Sequence, residues 1–265
     1  MSKTTTVRYY VKNDSESLSL ATAEWLTSAV ERAIAAHSVA RIAISGGNTP
    51  KRAFELLADP DHPFRKRIDW SRLLLFWVDE RCVPPTDKKS NFHMTHEALL
   101  SKVPLPQENI IRIEGELNPE EAASRYESAL RNRFRMEGAE LPHFDFILLG
   151  LGDNGHTASL FPHSDALDSM MRLAVSARVE AEVQWRVTLT WPVINHAAQV
   201  VFQIQGASKA GILRRVLQGP YEPEILPAQL IRPGSGELNL LLDVAAAAQL
   251  PPPAADGTGL LEVTR

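Results

Sequence analysis

Two stretches of this sequence, LLLFWV at 73–78 and FDFILL at 144–149, are apolar at nearly every position. A strand with one wet face alternates apolar and polar residues, so continuous apolar runs call for helices over both faces of a sheet. Further strand-like runs lie at Val7 to Val11, Arg41 to Ile44, Arg186 to Thr190, Val200 to Gln205 and Leu238 to Leu242, with helix-like segments between them. The alternation predicts an α/β sandwich with a mostly parallel sheet. Asp14 or Ser15 is expected to cap a helix whose Leu18, Trp25, Leu26, Ala29 and Ala33 share a face. Pro119 opens a second helix with acids in its first turn and arginines toward its end, and Gly138 is expected to close it. Residues 219–237 and 249–259 are rich in Pro and Gly, and the second stretch reads as a loosely held tail. No repeat or shift of composition divides the chain, which is expected to form one domain over residues 1–265.

Composition narrows the function. Cys82 is the only cysteine, which removes intramolecular disulfides and zinc sites built on cysteine pairs. His93 and His96 supply two ligands at most, so no metal site is expected. A net charge of −4 lacks the basic footprint of a nucleic-acid binder, and no 18-residue apolar run or signal-like start is present. A cytoplasmic protein that binds neither nucleic acid nor membrane is the expectation.

Four segments can carry chemistry. After the strand ARIAI, Ser45, Gly46, Gly47, Asn48 and Thr49 lead into a helix with Pro50 in its first turn. Glycines and helix-start N–H groups suit a phosphate, with hydroxyls of Ser45 and Thr49 as added donors, though the same residues also read as a plain strand-to-helix turn. FWVDER ends a buried strand in Asp79, Glu80 and Arg81, where Arg81 could fork onto an anion and Asp79 orient a partner, or where a charged turn simply meets solvent. Ser90 and Asn91 cap the helix that follows. In FDFILLGLGDNGHTASLFP, Gly150, Gly152 and Gly155 spell G-x-G-x-x-G, but Phe161-Pro162 stops the segment too early for a dinucleotide-binding helix. His156 beside those glycines reads as a general base acting on a carbonyl, or as a core or capping histidine. Lys209, at the start of a helix after the strand VVFQIQ, is a second cation for a phosphate or an exposed lysine.

Together SGGNTP (45–50), WVDER with SNF, GHTASLFP (155–162), LTWPVIN, GASKA, LPAQLIRP and LLDVAAA resemble the 6-phosphogluconolactonase family over about residues 20–248. These enzymes hydrolyse 6-phosphoglucono-δ-lactone to 6-phosphogluconate in the oxidative pentose phosphate pathway. The resemblance implies a modified doubly wound three-layer α/β sandwich shared with glucosamine-6-phosphate deaminases, and no cofactor. It assigns His156 as base and places Gly46, Gly47, Thr49, Arg81 and Lys209 around the phosphate and sugar. Relatives carry Asp where this chain has Asn154, an amide that cannot bear charge, and Asp153 is the nearest carboxylate to take its place.

The expected mechanism fixes the phosphate of a small sugar lactone against the Ser45–Thr49 turn, Arg81 and Lys209. His156 then takes a proton from water, and backbone N–H groups near Gly155 hold the oxyanion. The expected partner is the small molecule alone, with the chain acting as a monomer. A sugar-phosphate isomerase or deaminase on the same fold is the nearest rival, disfavoured by Asn154. A non-catalytic sugar-phosphate sensor comes next, and a dinucleotide-binding oxidoreductase last.

Overall fold

In the computed structural model, which describes residues 4–179 and 184–264, the first half of the chain forms β1 (Thr4–Lys12), α1 (Ser15–His37), β2 (Ala40–Ile44), α2 (Asn48–Ala58), α3 (Phe64–Arg67), β3 (Leu73–Trp77), β4 (Asp79–Arg81), α4 (Asn91–Ala98), β5 (Ile110–Ile111) and α5 (Pro119–Phe134). The second half adds β6 (Phe146–Leu149), β7 (Ala174–Val179), β8 (Gln184–Leu189), α6 (Trp191–Asn195), β9 (Gln199–Ile204), α7 (Ser208–Gln218), β10 (Glu237–Asp243), α8 (Val244–Ala247) and β11 (Thr258–Thr264). The main sheet runs β11-β1-β10-β9-β6-β2-β3-β5, and every neighbour is parallel except β11 against β1.

Burial explains the continuous apolar runs. All four residues of β6 are buried, and Phe76 and Trp77 are both inaccessible although they point to opposite faces. Strand β9 shows which helices cover those faces. Gln203 donates to the Thr49 carbonyl of α2, whereas its neighbours Phe202 and Ile204 line a small apolar cavity with Leu213, Val216 and Leu217 of α7. Helices α2 and α7 therefore lie on opposite sides, which makes three layers.

Asp14 caps α1 through a hydrogen bond from the Ser17 N–H at 2.7 Å. Helix α5 stops earlier than the glycine suggested. Arg135, at φ 53°, takes the left-handed position, and the Met136 N–H bonds back to the Arg131 carbonyl at 3.0 Å, so the turn closes before Gly138. The expected loose tail is also corrected. Residues 258–264 pair along β1, and Pro251 accepts the Tyr9 hydroxyl at 2.7 Å, so the segment is stitched to the sheet edge.

The run at 186–190 departs from the parallel sheet. Strand β8 lies in a second, antiparallel sheet of order β4-β8-β7. The two sheets meet at Val78, whose N–H bonds the Ile44 carbonyl of β2 and whose carbonyl accepts the Leu189 N–H of β8. Tyr126 of α5 fixes this step by bonding both the N–H and the carbonyl of Trp77. Between β6 and β7 no α-helix forms, so the glycine string does not open a dinucleotide crossover. Among the described residues no helix is long and apolar enough to cross a membrane.

Candidate active site

Parallel strands β2, β3, β6 and β9 finish at the same edge of the main sheet, and β4 carries the chain from β3 into the smaller sheet. A cleft of about 170 Å³ opens there, lined by residues 45–50, Asp79, Arg81, His156, Lys209 and others. Ser45, Gly46, Gly47, Asn48, Thr49, Asp79, Arg81, His156 and Lys209, singled out in the sequence, thus face one space, whereas Gly155 and Asn154 are not among its lining residues.

The turn at 46–49 is shaped by two different glycine requirements. Gly47 sits at φ 94°, a left-handed value that strains other residues, and it caps α2 without any side-chain hydrogen bond. The first N–H groups of α2 are thus without a side-chain cap. At Gly46 a Cβ would stand 2.0 Å from Asn91 Oδ1, so only glycine lets α4 come this close. The expected Ser45 donor is corrected. Its hydroxyl donates to the Leu148 carbonyl of β6 at 2.9 Å, tying two strand ends together instead of offering its proton to a ligand.

His156 is held from three sides. Asn154 Oδ1 accepts the His156 backbone N–H at 3.2 Å and also meets ring Nδ1 at 2.5 Å. An atom that accepts the first bond is an oxygen, so Nδ1 carries the hydrogen and the neutral ring has its lone pair at Nε2. The ring stacks on Phe161 at 4.1 Å, and Gly152 leaves it room, since a Cβ there would be 2.1 Å from Nδ1 and Cε1. Among the backbone N–H groups near Gly155 expected to hold the oxyanion, that of Gly155 itself donates to the Gly152 carbonyl at 3.0 Å. Gly155 serves the turn through φ 82° and a close approach to Leu226.

Charge in the cleft is arranged around buried carboxylates. Asp79 accepts from Ser159 Oγ at 2.6 Å and Asn91 Nδ2 at 3.3 Å, and lies 3.9 Å from an Arg186 nitrogen, so it orients neighbours within the wall. Glu80 takes hydrogen bonds from the N–H groups of Arg81, Asn91 and Phe92 and from Ser90 Oγ, which anchors the start of α4 against β4. Burial outweighs those donors and lifts its carboxyl above the usual range. Lys209 donates to Asp153 at 2.6 Å. Asp153 therefore pairs with the lysine, and Asn154 alone contacts the imidazole among the two. Cys82 is pushed up to about 11 by burial and by the nearby Glu80 charge, which keeps it a thiol at neutral pH.

The sequence did not single out Arg186 or Gln203, and saw Asn91 only as a cap. Arg186 is the direct partner of Arg81 across β4 and β8, so both guanidinium stems leave on one face. Its guanidinium lies 5.3 Å from the Phe161 ring that also stacks on His156. Nothing local distinguishes an arginine in the strand pattern RVTLT; only the pairing of distant segments reveals it.

Proteins of known family resemble this chain over most of its length. The family model described as glucosamine-6-phosphate isomerases/6-phosphogluconolactonase matches residues 13–240. A 6-phosphogluconolactonase of Synechocystis is 41% identical over 228 residues, covering 86% of this chain and 91% of the relative. The solved 6-phosphogluconolactonase from Trypanosoma cruzi superposes with a TM-score of 0.80 at 28% identity, over 91% of this chain and 96% of the other. A monomeric glucosamine-6-phosphate deaminase shares the fold at a TM-score of 0.75 and 18% identity, over 91% and 99% of the two chains.

Proposed function

The chain belongs to the glucosamine-6-phosphate isomerase/6-phosphogluconolactonase family, and from that premise we propose that it hydrolyses 6-phospho-D-glucono-1,5-lactone to 6-phospho-D-gluconate, the lactone-opening step of the oxidative pentose phosphate pathway. The observation that carries the reading is the meeting of an imidazole with an anion grip in one cleft. Arg81 and Arg186 stand side by side on two strands and put two guanidinium groups on one cleft wall, with Asp79 3.9 Å from Arg186. With Lys209 and the bare N–H groups of α2 they suit a phosphate dianion.

Held by its phosphate, the lactone presents C1 toward His156. Water attacks C1 while Nε2 takes its proton, giving a tetrahedral oxyanion beside an imidazolium. The C1–O5 bond then breaks, and the imidazolium returns the proton to O5, which leaves as the C5 hydroxyl. Asn154 keeps the hydrogen on Nδ1 throughout, so the ring always works through Nε2. The chemistry runs on this chain's own side chains.

The test is hydrolysis of freshly generated 6-phosphogluconolactone, corrected for spontaneous opening, beside gluconolactone without phosphate and with His156→Asn in parallel. The phosphorylated lactone should be preferred by at least about 10²-fold in kcat/KM, and H156N should lose about 10²–10⁴-fold in kcat while staying folded. Equal rates on the two lactones, or near-normal turnover by H156N, would reject the reading.

A further inference from the structure

Proton transfer to His156 places a positive charge where the cleft is already cationic. Asn154 orients the ring at Nδ1 but carries no charge, and the neighbouring acid, Asp153, is bound to Lys209 at 2.6 Å. The cleft that receives the imidazolium is lined by Arg81, Arg186 and Lys209, and by Asp79, which itself lies 3.9 Å from Arg186. Cations lining the same space disfavour an imidazolium. The other segments packed on the loop bring Leu226 and Ile212 against Gly155, and neither carries charge.

Phe161 meets the imidazole directly. The two rings lie 4.1 Å apart between centroids and 22° from parallel, and the Arg186 guanidinium is 5.3 Å from the same phenyl ring. A tight turn brings Phe161 back to His156: Thr157 and Leu160, both inaccessible, form a β-bridge, the Leu160 N–H donates to the Thr157 carbonyl at 3.0 Å, and Thr157 Oγ1 donates to the Gly150 carbonyl at 2.9 Å. Ala158 inside that turn takes φ 50°. A left-handed alanine is unfavourable and persists where the surrounding structure imposes it, commonly at functional sites.

We propose that Phe161 is a positioning residue that acts through His156, its ring face holding the imidazole and taking up part of the positive charge that the imidazole acquires from water. Resting on the lactonase reading above, this adds a group that serves the reaction without touching the lactone. The face of a phenyl ring is electron-rich and attracts a cation within about 6 Å of its centroid. A neutral imidazole gains only the packing, whereas the imidazolium gains the attraction as well. The contact therefore strengthens as the proton moves, and an interaction that grows toward the transition state is one that speeds the step.

The experiment replaces Phe161 in the full chain by 4-fluoro-, 3,5-difluoro- and 3,4,5-trifluorophenylalanine, which keep the shape of the ring while withdrawing charge from its face. Proton NMR titration follows the His156 ring, identified by the signal lost in His156→Asn. Its pKa should fall step by step, to about 0.4–1.5 units below wild type with three fluorines, and the acid limb of kcat/KM should move down with it. A weaker base takes the proton less readily, so kcat above that limb should drop roughly two- to fivefold. A ring that only packs would leave the titration in place, and an unmoved titration overturns the proposal whatever happens to kcat. If calorimetric binding of 6-phosphogluconate weakens while the titration stays, the phenyl ring serves Arg186 instead and the proposal is equally overturned. The titration needs no substrate. A graded fall in the His156 pKa in a protein that does not speed lactone opening would reject the lactonase reading and leave the charge-bearing contact standing.

Discussion

Replacing Gly152 by alanine tests the seat of the imidazole without removing any charged or hydrogen-bonding group. The added Cβ would lie 2.1 Å from both Nδ1 and Cε1 of His156 and 2.7 Å from Cγ, whereas ordinary contact begins at 3.4 Å. The ring must therefore withdraw by about 1.3 Å, or the loop must move with it, and stacking on Phe161 at 4.1 Å resists the shift. Gly152 is outside the left-handed region, so alanine meets no backbone penalty and the contact alone decides. A misplacement of about 1 Å costs on the order of 10²-fold in rate, and complete loss of a base costs up to about 10⁴-fold. G152A should fall between these in kcat while binding 6-phosphogluconate within about threefold of wild type, since the phosphate turn is untouched. Overpacking of about 1–3 kcal/mol would lower the melting temperature by no more than roughly 10 °C in a chain of this size, so the variant remains folded at 25 °C. Proton release from fresh lactone gives kcat, calorimetry gives binding, and circular dichroism checks the fold. Turnover within threefold of wild type would show that the imidazole need not sit where it does.

Asn154→Asp puts a carboxylate against Nδ1, which favours the imidazolium; the acid limb of the kcat/KM profile should move up by about 1 pH unit or more, with activity near pH 6 reduced, and an unmoved limb would count against the Asn154 contact. Asp153→Asn releases Lys209 from an ion pair whose acidic side chain is 80% exposed, so the screened pair competes only weakly with phosphate. KM should fall by no more than about fivefold with kcat unchanged, and a rise in KM would mean that Asp153 positions the lysine. Because the native Glu80 carboxyl is raised above its unfolded value, the folded state holds that proton more tightly. Wild-type stability relative to Glu80→Gln should decline as pH climbs from the ordinary carboxylate range through the raised one, then level off; urea midpoints rising over that interval would reverse the assignment.

What could be read from the sequence was whatever one segment expresses by itself. Continuous apolar runs gave the covered sheet, and short glycine turns at strand ends located His156 and the 46–49 turn. Lys209 followed from its place at a helix start. Misreadings arose where a partner comes from elsewhere in the chain. Ser45 looks like an open donor until β6 brings the Leu148 carbonyl beside it. Arg186 and Gln203 sit inside strand patterns, where alternation explains them as well as function does. Helix α5 ended on Arg135 because a hydrogen-bonded closure accepted an unfavourable φ, a choice that residue type disguises.

The crossing of one residue, Val78, between the two sheets makes the width of the cleft a property of a seam and not of either sheet alone. His156 and the phosphate turn are carried by loops on the parallel side, Arg81 and Arg186 by the antiparallel side, and the smaller sheet is braced against α5 by Arg172 bridging Glu120 and Glu127. The two sheets share one hydrophobic core, with Ala174, Val187 and Leu189 of the smaller sheet in the same cluster as Ile42 and Phe76 of the larger one. Shifting one wall against the other would therefore cost packing along the whole seam, which keeps the imidazole and the two arginines at a fixed separation.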